Sequence, residues 1–404
     1  MTQGETMSTA TDVYYDPYDT DIDAEPHAVW RRMRDEAPVY RNDRYDFWAL
    51  SRHADVDAAS RDPRTFSSAR GTTLELLSSG GEAPRMMIFI DPPEHSRLRV
   101  LFSRAFTPRR ISALHEQIRE ECRTLLDPHV GSAGFDYVAD FGAQLPSRVI
   151  SALLGVSPTD QPRILDVINT MFHIEPGVGM INDTALNAMF ELHTYLVDQL
   201  AERRAHPRDD MFSALVQAEL TEDDGTTRRL DDQEAANFGV LLVSAGTETV
   251  ARLIGWAGLA LADFPDQREL LVADPGLIPN AVEELLRYEA PSPSQGRSLT
   301  RDVTLHGVTI PEGSKVLLLT GSAGRDERAF PNPDVLDVRR RIEAHLSFGL
   351  GAHYCLGAAL ARLEGRIALE ETLRRFPRWD VDRAGAVRLH TSTVRGYKNL
   401  PIAV

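Results

Sequence analysis

Residues 348–357 combine a thiol, a histidine and glycines in the order Phe-Gly-Leu-Gly-Ala-His-Tyr-Cys-Leu-Gly. The stretch runs directly into a helical pattern over residues 358–375. Glycines allow the backbone to turn tightly and to approach a bulky, flat ligand, and the amide dipoles of the following helix favour a thiolate over a thiol. We therefore expect this loop to present Cys355 as a metal ligand.

Other interpretations of this stretch are weaker, although one stays open. Gly349-x-Gly351 resembles the start of a dinucleotide fingerprint, but Tyr354 occupies the place of the third glycine. A zinc site needs four ligands, whereas the neighbourhood offers only Cys355 and His353, and the chain has no C-x-x-C pair. A buried structural cysteine is the remaining alternative, and the glycines make it less favoured.

The pattern F-x-x-G-x-H-x-C-x-G resembles the haem-binding signature of the cytochromes P450, the haem-thiolate monooxygenases. Its fixed positions are Phe348, Gly351, His353, Cys355 and Gly357. The resemblance implies that Cys355 is the axial ligand of a haem b iron. It also implies the cytochrome P450 fold, a mainly α class in which a large helical domain carries small β-sheets. We expect one such domain over residues 1–404, with a flexible N-terminus over residues 1–25.

The centre of the longest helical pattern reads Ala-Gly-Thr-Glu-Thr over residues 245–249. Buried polar groups need partners, so a satisfied core pair is one explanation for this carboxylate and these hydroxyls. The segment also resembles the family's oxygen-activation motif A-G-x-[DE]-T. That resemblance implies that Glu248 is the acid and Thr249 the alcohol of proton delivery, and that the small residues Ala245 and Gly246 lie beside the haem.

His95 and Arg99 lie four residues apart, and hence on one face of a helix predicted to begin near residue 91. Alone, such a pair is typical of a solvated helix face. In the family, H-x-x-x-R at this place holds the haem propionates, and arginine can bind a carboxylate bidentately. The resemblance implies the same role for Arg297, which follows Pro291-Ser292-Pro293 on a predicted strand.

Glu284 and Arg287 have the i, i+3 spacing of a common surface pair. Between the long helix and the cysteine loop, however, they match the family's E-x-x-R, which implies a structural network completed by another arginine. We expect Arg340 to be that third member, although Leu336 stands where a phenylalanine is usual and either neighbouring arginine could serve instead. Gly324 stands where the family usually has an asparagine, which puts the local loop geometry in question.

The substrate pocket and the electron donor are less well marked. Met87 and Phe89 lie in an apolar run after a flexible loop, a run that fits a core strand or a pocket wall. Leu241, Ser244 and Ala245 lie one and two helical turns before Thr249 and are expected to face the substrate. Together these residues indicate an apolar molecule of medium size, and leave terpenoid, steroid, fatty acid and polyketide open.

A basic cluster follows His95 in a chain that is otherwise acidic. If the resemblance holds, it lies on the side of the haem where the thiolate binds, so Arg104, Arg109 and Arg110 are candidate docking charges for a ferredoxin-type electron donor. A solvated basic patch without a partner is the alternative.

Composition limits the remaining possibilities. The net charge of −16 over 404 residues disfavours nucleic acid as a partner, and two cysteines suit a reducing compartment. The N-terminus lacks the apolar core of a signal peptide, and Glu248 and Arg252 interrupt the most apolar segment, residues 239–262, as in a buried helix. We expect a cytoplasmic protein without a membrane anchor.

The pattern also predicts several local structures. Hairpins are expected over residues 39–50 and 303–310, and amphipathic helices over 111–217 with breaks near 131–134, 157–158 and 175–177. The longest helix should run from Leu230 to Phe264, with Asp231 and Asp232 as candidate caps.

The resemblance implies insertion of one oxygen atom from O2 into a C–H bond or an alkene, with electrons from NAD(P)H through a ferredoxin and its reductase. A haem-thiolate peroxygenase would share Cys355 but usually lacks the acid and alcohol pair. A non-catalytic haem-binding sensor would not need that pair beside an apolar pocket. Consumption of NAD(P)H and O2 with a generic ferredoxin system would distinguish these alternatives.

Overall fold

The computed structural model describes residues 13–81, 83–103, 106–173, 175, 182–208, 210–222, 224–391 and 393–404. The protein is 54% helical and carries several small sheets. The mainly α fold class predicted from the sequence is therefore confirmed.

The helices of the described residues pack around one long member. In chain order they are α1 (Thr20–Ala24), α2 (Pro26–Glu36), α3 (His53–Arg61), α4 (Leu74–Ser79), α5 (Glu94–Ser103), α6 (Pro108–Ala113), α7 (His115–Leu126), α8 (Gln144–Leu154), α9 (Gln161–Met171), α10 (Asp183–Ala205), α11 (Met211–Gln217), α12 (Asp232–Asp263), α13 (Pro265–Ala273), α14 (Ile278–Tyr288), α15 (Thr320–Ala323) and α16 (Ala358–Arg375). Short 3₁₀ turns lie at Met87–Phe89, Asp127–His129, Pro275–Leu277 and Gly351–His353, and a π-helical turn at Tyr137–Gly142.

The strands are short, and most sheets are two-stranded. They are β1 (Val39–Asn42), β2 (Phe47–Leu50), β3 (Phe66–Ser67), β4 (Gly134–Asp136), β5 (Glu219–Thr221), β6 (Thr227–Arg229), β7 (Gln295–Leu299), β8 (Val303–Leu305), β9 (Val308–Ile310), β10 (Lys315–Leu318), β11 (Asp380–Val381), β12 (Val387–His390), β13 (Arg395–Asn399) and β14 (Pro401–Ala403). The largest sheet has the order β1-β2-β10-β7-β3, and a three-stranded sheet has the order β11-β14-β4. The remaining pairs are β12-β13, β5-β6 and β8-β9.

Helix α12 begins and ends where the sequence predicts. The Asp231 side chain accepts a hydrogen bond from Glu234 N, and the Glu234 side chain accepts one from Asp231 N, which satisfies amides at the start of the helix. The helix packs against α8, α10 and α16 in the main hydrophobic core. By length and hydropathy α12 could cross a membrane, but 72% of its most apolar window is buried inside the protein, as in the core helix of a soluble protein.

Both predicted hairpins are confirmed. Val39 pairs with Leu50 across the β1-β2 turn, and Val303 pairs with Ile310 across the β8-β9 turn. The helical breaks near residues 131–134 and 157–158 also lie between helices. The third break, near 175–177, falls mostly outside the described residues.

Of the two alternatives for the apolar run 86–90, the core strand is wrong. Met87–Phe89 form a 3₁₀ turn, in which the Phe89 amide donates locally to Met86 O at 2.9 Å. The described part of the N-terminus, residues 13–25, contacts the body of the protein, and the flexibility expected for residues 1–25 stays a prediction. Val13 and Tyr15 are buried in a small apolar cluster, and the Tyr15 amide donates to Tyr40 Oη at 3.0 Å.

Candidate active site

The cysteine loop is shaped by its glycines. Gly351 has a φ of +67°, and a Cβ on it would lie 2.6 Å from Ser60 O on α3, so only glycine fits there. A Cβ on Gly357, in contrast, would meet no atom within 4 Å, which leaves open space beside the backbone at the start of α16. The Cys355 amide closes the loop by donating to Phe348 O at 2.8 Å.

The electrostatics of the Cys355 sulfur differ from the sequence-based expectation. Burial raises the pKa of this thiol, while the Gly357 amide and the positive charges of Arg99 and Arg362 lower it by less. The loop and the helix terminus therefore do not outweigh burial, and without a bound metal the protein does not favour the thiolate. Because a coordinating metal ion deprotonates a thiol outright, these surroundings suit a sulfur that binds a metal ion.

One predicted propionate ligand, His95, and the signature histidine, His353, have unsatisfied polar atoms. The rings of His95 and His353 lie 4.2 Å apart between centroids. Within the described part of the chain, both ring nitrogens of His95 and the Nε2 atom of His353 are buried without a hydrogen-bond partner. Burial lowers the pKa of His95 to about 4 and that of His353 to about 3. Such nitrogens need polar groups from a ligand.

The two predicted arginines extend this set of donors. Arg297 is buried, and burial lowers its pKa to about 10. The only hydrogen bond that its side chain forms with the described residues goes from Nη1 to Gly296 O, at 2.6 Å. Burial likewise lowers the pKa of Arg99, and no described carboxylate forms an ion pair with it. The buried guanidinium of Arg297 and the half-buried one of Arg99 form no ion pair with a described carboxylate and fit the two carboxylates of a haem, so these donors and the open space at Gly357 fit this cofactor.

The motif at the centre of α12 is divided between two helix faces. Thr249 Oγ1 donates to Ala245 O at 2.8 Å, and Glu248 Oε2 accepts from Arg252 at 3.0 Å. The predicted acid and alcohol therefore do not hydrogen-bond to each other. A Cβ on Gly246 would lie 3.2 Å from Ile150 on α8, so packing between helices accounts for this glycine better than approach of a ligand.

The E-x-x-R pair lies in the interior rather than on the surface. Glu284 and Arg287 have no solvent exposure, and both carboxylate oxygens accept from the guanidinium at 2.7 and 2.8 Å. Arg340 Nε lies 3.1 Å from Glu284 Oε1, so Arg340 is the third member of this cluster. A Cβ on Gly324 would lie 2.4 Å from Arg287 O, which explains why this chain has glycine at that position.

The expected pocket residues differ in exposure. Met87 belongs to the main hydrophobic core, whereas Phe89 is half-buried. Leu241 and Ser244 are half-buried on α12, and the Ser244 hydroxyl donates to Val240 O at 2.8 Å. Ala245 is exposed at the centre of the same helix, although the core surrounds much of α12. Leu241, Ser244 and Ala245 therefore remain accessible to a substrate, while Met87 packs inside.

Two of the expected docking charges lie on α6, which borders a cavity. Arg109 and Arg110 are exposed on α6, and Arg104 falls outside the described residues. A cavity of about 630 Å³ separates α6 and α7 from α14 and α16, with Ile111 and Arg366 among its lining residues.

The sequence did not reveal the role of Arg362. This residue donates to both oxygens of Glu283, at 2.7 and 2.9 Å, and its guanidinium lies 4.5 Å from the ring centroid of Phe348. It also donates to the Tyr354 hydroxyl at 3.0 Å, and so connects α14 with the cysteine loop. Its position seven residues after Cys355 is the only local signal, because Glu283 lies far away in the chain.

Comparisons with known proteins agree with this geometry. The sequence profile of the family described as cytochrome P450 matches residues 276–396. The chain is 45% identical over 392 residues to the protein named cytochrome P450 123 of Mycobacterium tuberculosis, with 96% of each chain covered. It is 41% identical over 376 residues to erythromycin C-12 hydroxylase of Saccharopolyspora erythraea, with 92% of each covered. The open structure of cytochrome P450 EryK from S. erythraea matches with a TM-score of 0.86 at 39% identity, covering 95% of this chain and 96% of that one.

The long central helix, the cysteine loop and the unpaired donors define a mainly α haem protein. With relatives of this identity and coverage, the chain belongs to the cytochrome P450 family. It is accordingly a monooxygenase of the oxidoreductase class and binds haem b.

Proposed function

We propose that this protein is a cytoplasmic monooxygenase that hydroxylates or epoxidises an apolar small molecule, using O2 and electrons from NAD(P)H through a ferredoxin and its reductase. When bound, the haem supplies the one-electron and oxygen chemistry. The chain's own residues bind and orient the cofactor, hold the substrate and move protons.

The proposal depends mainly on the residues that surround the Cys355 sulfur. This sulfur accepts from the Gly357 amide and lies near the positive charges of Arg99 and Arg362, whereas the second cysteine, Cys122, is fully buried in the apolar core. We assign Cys355 as the axial ligand on this contrast. The unpaired nitrogens of His95 support its role at a propionate, and Arg99 and Arg297 are assigned the same role.

The experiment is the spectrum of the reduced protein under CO, in which a thiolate-ligated haem gives a red-shifted Soret band. We expect Cys355→Ser to lose that band, because a hydroxyl does not replace a thiolate as ligand. Cys122→Ser is the matched control and should keep it. Retention of the band in Cys355→Ser would refute the ligand assignment.

Proton delivery is assigned to Glu248 and Thr249. The hydroxyl proton of Thr249 is directed to Ala245 O, so its oxygen lone pairs remain free to accept a proton. One oxygen of Glu248 is held by Arg252, and the carboxylate lies one residue away on the same helix. Because the two side chains do not hydrogen-bond to each other, a proton taken up by Glu248 reaches Thr249 Oγ1 through a bridging water molecule, while Thr249 releases its own proton toward the reacting oxygen.

An apolar substrate is favoured by the half-buried Leu241 and Phe89 and by the exposed methyl of Ala245. Among the relatives, a mutant of EryK has been solved with erythromycin B and a P450 of Bacillus megaterium with corticosterone. These two complexes support a medium-sized, largely apolar substrate for this chain as well. A lipophilic library, screened for a shift in the spin state of the haem spectrum, would identify its class.

The electron donor is assigned to the face that carries Arg109 and Arg110. Both side chains are exposed on α6, beside the cavity between α6 and α16. Arg362 is paired with Glu283, and Arg366 lies 3.6 Å from Glu370, so these two charges are partly neutralised within the chain. An acidic ferredoxin would therefore be attracted mainly by the α6 arginines.

A further inference from the structure

The ion partner of Glu248 is Arg252, one helical turn further along α12. The two side chains are only 8% and 5% exposed, and Arg252 Nη2 donates to Glu248 Oε2 at 3.0 Å. In the described part of the chain, the other carboxylate oxygen of Glu248 accepts no hydrogen bond. One oxygen of the predicted acid is thus restrained, and the other is available.

Arg252 is itself held by the C-terminal hairpin. Its Nη1 atom donates to Tyr397 O on β13. A Cβ on Gly396 would lie 2.7 Å from Arg252 Cδ, so the arginine stem fills the space above this glycine. One turn further along α12, Trp256 Nε1 donates to Arg395 O at 2.9 Å and fixes the same strand to the helix. The position of the guanidinium is therefore set by β13 as well as by α12.

We propose that Arg252 is a positioning residue for proton delivery, which clamps one oxygen of Glu248 against β13 and leaves the other oxygen free to exchange a proton. The inference rests on the proposed roles of Glu248 and Thr249. In this scheme the free oxygen takes a proton from solvent and passes it through a bridging water molecule to Thr249 Oγ1, whose own proton moves to the reacting oxygen. The carboxylate then returns to its ionised state beside Arg252, and the electrons come from NAD(P)H.

The physical reason for a clamp is the burial of the carboxylate. Without Arg252, Glu248 would be a buried anion with no cationic partner, and it would turn toward any donor within reach. A carboxylate in several orientations transfers protons less often, because transfer requires the donor and acceptor at hydrogen-bond distance.

The test compares how much peroxide and how much product the haem protein forms per NAD(P)H. We expect Arg252→Met to increase the peroxide yield about threefold or more. This increase should be smaller than that of Glu248→Gln, which removes the acid itself, since positioned acid–base groups contribute about 10²–10⁴-fold. Arg268→Met is the matched control, because this buried arginine on α13 also donates to a backbone carbonyl, Trp379 O at 2.7 Å, but does not contact Glu248. In a Glu248→Gln background, Arg252→Met should add no further peroxide.

Two further variants separate positioning from folding. Arg252→Lys keeps the charge and should raise the peroxide yield less than half as much as Arg252→Met. Gly396→Ala should displace the arginine stem and raise the yield with both charges present. If Arg252→Met does not accumulate with haem, these two variants decide the question, and a parent-like yield in Gly396→Ala would overturn the proposal.

A measurement independent of turnover tests the contact itself. The thermal unfolding midpoint should fall with Arg252→Met, and should fall less than half as far in the Glu248→Gln background. Equal falls in the two backgrounds, or a peroxide yield equal to that of Arg268→Met, would overturn the inference. If Glu248→Gln and Thr249→Ala themselves leave the yield unchanged, the proposed proton route fails instead, which is a distinct result.

Discussion

Replacement of Glu284 by glutamine should destabilise the protein strongly. The Glu284 carboxylate is wholly buried and accepts from Arg287 at 2.7 and 2.8 Å, from Arg340 Nε at 3.1 Å and from Asp337 N at 3.0 Å. Glu284→Gln keeps the volume, but it removes the negative charge and turns one acceptor into a donor that faces the Arg287 guanidinium. Arg287 has no exposed surface, so water cannot replace the lost acceptor.

The size of the effect follows from the burial of both partners. Breaking a buried ion pair by removing one partner costs about 3–5 kcal/mol, because the other charge stays buried and uncompensated. With a urea dependence of about 3 kcal/mol per molar, the midpoint should fall by about 1 M or more. Arg287 and Arg340 also donate to the carbonyls of Pro333 and Asn332, so the coil before the cysteine loop should loosen as well.

The assay is urea unfolding of the haem-loaded protein, followed by circular dichroism of the helices and by Soret absorbance. Glu36→Gln is the matched control, because Glu36 pairs with Arg32 at 2.9 Å on the surface of α2 and both side chains are exposed. Its midpoint should stay close to that of the parent. A Glu284→Gln midpoint indistinguishable from that of Glu36→Gln would refute the reasoning.

Three other changes have defined outcomes. Thr249→Ala should keep the haem but lower product per NAD(P)H about tenfold in favour of peroxide, and unchanged coupling would exclude its role. Exchange of Arg109 and Arg110 for glutamate should slow electron transfer from a ferredoxin about tenfold at low salt, and equal rates across a salt series would exclude this docking face. Burial raises the pKa of Glu283, but His345 and Arg362 outweigh it and lower that pKa to about 2, from 4.5. The ionised group therefore stabilises the fold above pH 4.5, and this stabilisation is lost as the pH falls toward 2. Glu283→Gln should make the unfolding midpoint less dependent on pH between these values, and an unaltered dependence would contradict the assignment.

The sequence predicted most reliably the features that depend on residues close together in the chain. The hairpin over 39–50 needs a turn between two alternating runs, and α12 needs a cap and a long apolar pattern, so both are visible locally. The cysteine loop is visible locally for the same reason, because its glycines, His353 and Cys355 fall within ten residues.

Features that depend on distant packing were not predictable in this way. The net effect on the Cys355 pKa depends on burial, which no local pattern measures, and burial exceeds the effect of the helix terminus. The requirement for Gly324 comes from the carbonyl of Arg287, thirty-seven residues earlier, which would collide with any side chain. Likewise, the run 86–90 satisfies its backbone within a turn, and an apolar sequence alone does not distinguish this from a strand.

Helix α12 joins two parts of the protein that the sequence presents separately. Ala245 and Thr249 share one face, while Glu248, Arg252 and Trp256 recur every fourth residue along another face, the one that contacts β13. Since Arg252 contacts both Tyr397 O and Glu248, we expect a displacement of β13 at Tyr397 to shift the guanidinium that holds the carboxylate. On the proposed proton route, proton delivery therefore depends on the C-terminal hairpin as well as on the motif itself.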